Sequence, residues 1–251
     1  MKKTLLILFG LTFALSNSFA SSGEVHNIKQ QWSFEGYVGT VDKRSAQRGF
    51  QVYKEVCSAC HSLNRMSFRH LQEIGFSLEE AKTIAAEYLV EDGPNDVGDM
   101  FERNGKISDH FVAPYANENA SRASNGGAFP PDLSLIIKAR PDGANYLYSL
   151  LNGYIDTPEH VKLGEGMHYN AYFPGHQIAM PKPLSKDQVE YQDGTIATVE
   201  QMSRDLVNFF QWTAEPEMEK RNKMGIRTLI FLLISTLFFY AAKRRIWSDV
   251  K

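Results

Sequence analysis

Arg48-Gly-Phe-Gln-Val-Tyr-Lys-Glu-Val-Cys57-Ser-Ala-Cys60-His61-Ser62 is the stretch from which the rest of the chain can be read. Ala46, Phe50, Tyr53 and Val56 recur at helical spacing, which predicts a helix with one apolar face running into the motif. Cys57 and Cys60 are the only cysteines in the sequence. Three apart on one helical face, their thiols are placed to add to the two vinyl groups of a haem, with the adjacent His61 placed to bind the iron. A lone cysteine pair in an exported protein would otherwise read as a disulfide, and His61 changes that reading. A zinc site needs four ligands, and no second cysteine pair exists to supply them. A thioredoxin-like pair expects a preceding strand in a βαβ context, which the pattern does not offer. One covalent haem c, held through Cys57 and Cys60, is therefore expected.

The ligand opposite His61 has to come from elsewhere, and a Met there raises the potential relative to a His. Met180 lies in Phe173-Pro-Gly-His-Gln-Ile-Ala-Met180-Pro181-Lys-Pro183, where prolines and a glycine favour an extended loop that presses a side chain onto a haem face. Met167, Met100, His168 and His176 compete with it. Met66 is too close to His61 to reach the opposite face easily, and Met202 falls on the apolar stripe of a later helix.

The two ends of the chain say where this chemistry sits. Lys2 and Lys3 precede an apolar run from Leu5 to Leu15, and Ser18 and Ala20 are small residues before a cut; residues 1–20 read as a secretory signal peptide leaving Ser21 at the mature N-terminus. Near the other end, Ile226 to Ala242 is uncharged except for Arg227 and apolar all round, with Lys243, Arg244, Arg245 and Trp247 following. That is an anchor helix over residues 223–243, with Arg227 snorkelling to one interface, and 244–251 form a short cytoplasmic tail. The domain between, residues 21–222, lies outside the cytoplasm. Residues 21–218 carry 17 Lys plus Arg against 27 Asp plus Glu, an excess of ten acids that the whole-chain value of −2 conceals. Such a field repels nucleic acid and attracts cationic partners.

The rest of the domain reads as mainly α. Ser77 with Glu80, and Thr198 with Gln201, form capping boxes before apolar-periodic runs. Asp132 is placed to cap a helix over Leu133 to Arg140, and a second runs from Asn145 to Leu151, ending at Gly153. Asp193-Gly194, between Val189 to Tyr191 and Thr195 to Ala197, predicts one small β-hairpin.

Three stretches carry a more specific signal: the one quoted first, Asn125-Gly-Gly-Ala-Phe-Pro130-Pro131-Asp132-Leu-Ser, and Tyr172-Phe-Pro-Gly-His-Gln-Ile-Ala-Met180. From about Trp32 to Trp247 the chain resembles the cytochrome c1 family, the haem subunits of the ubiquinol:cytochrome c reductase, or cytochrome bc1, complex. The resemblance implies a cytochrome c-type haem domain with a long insertion, followed by a single C-terminal transmembrane helix, in a bacterial inner membrane with the haem domain on the periplasmic side. It implies Met180 as the second axial ligand. It also implies Asn125, Pro130, Pro131, Arg140, Tyr146, Leu150 and Phe173 as pocket residues, with Arg140 close to a haem propionate. The function it implies is a one-electron relay within a dimeric complex, from the Rieske iron–sulfur protein to a c-type cytochrome. Quinol chemistry would belong to the partner cytochrome b, and this chain would have no substrate-transforming active site of its own. Five acids in Glu91-Asp-Gly-Pro-Asn-Asp96-Val-Gly-Asp99-Met-Phe-Glu102 are a candidate surface for a basic cytochrome. A haem enzyme with an open sixth position, a tethered thiol–disulfide protein and a tethered shuttle outside any complex are the competing functions.

Overall fold

The chain is described by a computed structural model over residues 26–250; the expected signal peptide lies outside those residues. The Phe50/Tyr53 periodicity forms helix α1, Lys43–Glu55, whose first turn is capped by Asp42 accepting from Arg44 N and Ser45 N at 3.0 and 3.1 Å. It packs on α5, Val199–Ala214, and this crossing is the centre of the core. Phe50 and Tyr53 meet Phe209 at ring-centroid separations of 5.8 and 5.7 Å. Gly49 makes the crossing possible: a Cβ there would lie 2.1 Å from the Asp205 carbonyl oxygen and 2.8 Å from Phe209 Cβ. A glycine that weakens an isolated helix here lets two backbones touch.

A fully buried carboxylate sits in that contact. Asp205 accepts from Ser45 Oγ at 2.7 Å, from Arg48 Nη2 and Nε at 2.9 and 3.0 Å, and from Gln201 Nε2 at 3.1 Å, so its charge is paired and its oxygens are satisfied. Helix α4, Gly143–Asn152, covers the other side of α5. The extended segment after residue 26 lies along α4: Ile28 N donates to Ser149 Oγ at 2.7 Å, and Trp32 Nε1 to Asn145 Oδ1 at 2.9 Å. Helices α2, Leu78–Ala86, and α3, Glu118–Ser124, stand on the long insertion. The Ser77–Glu80 box closes in both directions, whereas at α5 Thr198 accepts from Gln201 N without a reciprocal bond. The sequence did not announce α3, a short helix capped by Asn117.

Strand lies elsewhere than expected. Asp193-Gly194 forms a turn without a ladder, because Val189, Tyr191 and Ala197 all point into the core while Asp193 is drawn to Arg48 at 2.8 Å. Strands β1, Leu89–Asp92, and β2, Phe101–Asn104, instead form an antiparallel hairpin that carries the acidic segment. Arg103 clamps it, pairing with Asp92 and, at 2.6 Å, with Asp109. A second pair, β3 (His168–Tyr169) and β4 (Gln177–Ile178), frames the loop before Met180. Leu133 to Arg140 is a run of turns and no helix, since Asp132 spends its oxygens on Ser62 Oγ, Asn64 N and Ser134 N, and Leu133 N goes to the Ser62 carbonyl. Those bonds tie the segment to the residues just after His61.

After Glu215 and Pro216 the chain enters α6, Met218–Ile246, whose 29 residues span about 43 Å. Its apolar side chains from Met224 to Tyr240 face outward, and it is long and apolar enough to cross a membrane.

Candidate haem pocket

The motif does not lie within α1, as its spacing predicted. The helix ends at Glu55, and Cys57–Ala59 forms a single tighter turn in which Cys60 N and His61 N both donate to the Cys57 carbonyl, at 3.1 and 2.9 Å. Ser58 Oγ fastens the turn back to the Lys54 carbonyl at 2.7 Å, and the Tyr53 hydroxyl donates to the His61 carbonyl at 3.2 Å. Both cysteines are free thiols, Cys60 the more exposed. Burial pushes the Cys57 thiol up to about 12, and its neighbour Cys60 adds to that. A thiol–disulfide catalyst needs the opposite, a stabilised thiolate, so the turn is suited to alkylated sulfurs rather than exchanging ones.

His61 Nδ1 lies 2.8 Å from the Pro131 carbonyl oxygen. A carbonyl only accepts, so Nδ1 carries the proton and Nε2 is left with its lone pair. Burial holds the imidazole below its ordinary value, outweighing the opposite pull of the Pro131 carbonyl and Asp132. The ring is thus neutral and fixed in orientation, the usual state of a metal-binding histidine with its second nitrogen engaged. Pro131 works through its backbone, and Asp132 fixes that backbone through Ser62 and Asn64.

A small apolar cluster lies apart from the main core: Tyr146 and Leu150 from α4 and Ile178 from β4, with Tyr154, Phe173 and Met180 packed against it. The loop that brings Phe173 and Met180 here is organised by Asn170. Fully buried, it donates from Nδ2 to the Leu150 carbonyl at 2.8 Å and accepts from Tyr172 N and Phe173 N at 2.9 and 3.1 Å. The Tyr154 hydroxyl donates to the Met180 carbonyl at 3.1 Å. Asn170 and Tyr154 were missed by sequence reasoning. The signal for Asn170 was present in Asn-Ala-Tyr-Phe-Pro-Gly, a side chain two residues before a turn that bonds its own backbone.

Of the three methionines among the five axial candidates, Met180 is the one packed on that cluster. Met100 sits exposed at the β1–β2 hairpin, His168 is exposed on β3, and Met167 lines a groove with Tyr154 and Tyr169. His176, at φ 59°, stacks on Tyr169 at 5.8 Å. Of the other expected residues, Pro130 is half-buried, and Asn125 closes α3, donating to the Ser121 carbonyl at 2.7 Å. Arg140 is exposed and donates to the Ala139 carbonyl at 2.9 Å. Neither Asn125 nor Arg140 bonds to the other expected pocket residues.

A haem fits what these residues offer: two free thiols three apart, an imidazole with one free nitrogen, and a thioether beside an apolar wall. Comparison with known proteins bears on the same point. Residues 32–250 match the model of the cytochrome C1 family. The chain is 50% identical to "Cytochrome c1 1, heme protein, mitochondrial" of Arabidopsis thaliana, over 96% of this chain and 80% of that one. It is 45% identical to "Cytochrome c1" of Rhodospirillum rubrum, over 99% and 98%. It is 46% identical to "Cytochrome b-c1 complex catalytic subunit, mitochondrial" of Candida albicans, over 92% and 81%.

Proposed function

The chain belongs to the cytochrome c1 family, and from that premise we propose that it is the haem-carrying electron-transfer subunit of a cytochrome bc1 complex. In this reading it relays single electrons from a Rieske iron–sulfur protein to a c-type cytochrome, with cytochrome b as its membrane partner. The bound haem supplies a one-electron couple. This chain's residues hold and tune it. Cys57 and Cys60 fasten it through thioethers, and His61 binds through Nε2, kept in place by the Pro131 carbonyl. Met180 would contribute its thioether sulfur as the second ligand. Asn125, Pro130, Tyr146, Leu150 and Phe173 exclude water, and Arg140, which pairs with no acid among the described residues, reaches a propionate. With His61 and Met180 both bound to the haem iron, the site would pass electrons and transform no substrate.

Helix α6 is the single anchor, residues 223–243 of it within the bilayer and the haem domain on the periplasmic side of a bacterial inner membrane. The exposed acids of the β1–β2 hairpin are proposed as part of the surface that meets a basic cytochrome, and the assembly as a dimer. The observation that carries the reading is the orientation of His61 toward a free Nε2 together with the separate apolar cluster holding Met180.

The test compares visible and near-infrared spectra of membranes bearing the wild type and Met180→Leu. The expected outcome is a sharp reduced c-type band in the wild type and, in the variant, loss of the weak near-infrared sulfur-to-iron band with a lowered potential. An unchanged spectrum and potential would assign the second ligand to another residue. Recovery in mild detergent without a cytochrome b would overturn the assignment to a complex.

A further inference from the structure

The loop Ser33–Thr40 folds back on itself: Thr40 N donates to the Ser33 carbonyl at 2.9 Å, and Gly39 N to the Gly36 carbonyl at 3.4 Å. Its base is built into the domain, since Phe34 is buried and stacked on Trp32 at 5.5 Å. Gly39 presses so close to that base that a Cβ would lie 2.3 Å from the Phe34 backbone. The tip is therefore forced outward, and Tyr37 and Val38 are 89% and 79% exposed. Two apolar side chains held in water by a rigid turn need an explanation.

Their position supplies it. Val41 N, directly after the loop, donates to Glu219 Oε1 in the first turn of α6 at 3.1 Å. Glu219 precedes Lys223, where the anchor enters the bilayer, by four residues, about 6 Å of helix. The polar layer on either side of a ~30 Å hydrocarbon core is about 5–7 Å deep. The loop is thus tied to the anchor at the height of the lipid headgroups. Lys43, Lys220 and Lys223 line the cleft beside it together with Glu73, Glu215 and Glu219; Lys220 pairs with Glu217 at 3.0 Å, and its ammonium group and those of Lys43 and Lys223 stand at the same level.

We propose that the Tyr37–Val38 tip inserts into the lipid headgroup layer beside α6 and, with Lys43, Lys220 and Lys223, forms a second membrane contact. An aromatic and a β-branched residue flanked by lysines suit that boundary, the ring in the interface and the ammonium groups on anionic headgroups. A single helix by itself leaves the domain's turn about the helix axis unfixed. A second contact, fixed to the same helix through Glu219, removes that freedom and sets the height and facing of the haem domain. The inference rests on the reading of α6 as the membrane anchor.

The test places a nitroxide on single cysteines in the full haem-loaded chain, whose Cys57 and Cys60 sulfurs are then alkylated. The sites are Val38→Cys, Leu233→Cys in the middle of α6 and Lys186→Cys, an exposed residue on the domain surface. The protein is reconstituted in vesicles of phosphatidylethanolamine with a minority of phosphatidylglycerol, with the haem reduced. Collision with oxygen and with a water-soluble nickel complex reports depth, and the reduced c-type band confirms that each variant is folded. The expected result is a label at 38 intermediate between the two references. A label at 38 as open to nickel as the one at 186, with 233 deep, overturns the second contact and leaves the anchor standing. A label at 233 open to nickel removes the anchor and the contact together.

Discussion

On the histidine side of the pocket, α1 crosses α5 so closely that a glycine and a buried carboxylate occupy the contact, and the cysteine turn follows within two residues of the helix end. On the methionine side a loop is held in place by one asparagine and one tyrosine hydroxyl, over a cluster of three buried side chains. The first side is part of the main core, and disturbing it disturbs the domain. The second is a satellite, whose loss would free the proposed ligand Met180 and leave the rest folded. In the proposed haem site, covalent attachment would then fall beside the main core and the potential would depend on a segment that changes at low structural cost.

Four measurements would break or sharpen that contrast. The largest effect belongs to the helix crossing. Gly49→Val drives a side chain into the Asp205 backbone, and we expect a loss of at least about 3 kcal/mol, read as haem-loaded protein recovered and as the denaturant midpoint. Retention of wild-type stability would mean the helices separate freely. Asn170→Ala should cost less, about 2 kcal/mol, since it strands two amide N–H groups and a carbonyl. The reduced c-type band should persist while the reduced protein begins to bind carbon monoxide. Loss of the whole domain would make the methionine side as structural as the other.

Tyr154→Phe removes a single bond to the Met180 carbonyl, an expected loss of about 1 kcal/mol, read as a faster exchange of the proposed axial ligand with imidazole and a denaturant midpoint that falls less than in Asn170→Ala. The smallest effect is acid on the β1–β2 hairpin, which belongs to neither side. Hydrogen bonds from Arg103 hold the Asp109 carboxyl below its usual range, so its contribution is complete above the unfolded value near 4 and is lost as pH falls through the lower folded value. Amide exchange in residues 89–104 should therefore rise between about pH 5 and about pH 3 while the haem spectrum holds. A spectrum that changes in step would tie the hairpin to the pocket.

What the sequence made legible follows the same division. The α1 periodicity and the Ser77–Glu80 capping box are local and held, whereas Thr198 caps α5 without a reciprocal bond and the chain tightens into a single turn around Cys57. The position of the strands was misjudged. Asp193-Gly194 has hairpin chemistry, but its flanks are pulled apart by the core on one side and Arg48 on the other, neither visible in a short window. The segment after Asp132 has the composition of a helix, yet its capping residue is claimed by Ser62 and Asn64, some seventy positions earlier. Met180 was legible as one of five candidates. The order of the loop that carries it rests on Asn170, a buried residue whose importance lies in three side-chain bonds that only the folded loop contains.

The passage from α5 to α6 has a mechanical consequence. Only Glu215, Pro216 and Glu217 separate the helix that clasps α1 from the apolar one, and the carboxylate of Glu215 is gripped by Lys138 at 2.6 Å and by Arg221 at 3.1 Å. That double grip acts as a splint over the break. It holds the first turns of the outer helix, through Arg221, and the segment around Lys138 to one carboxylate, so the bend between the two helices is fixed against the domain surface.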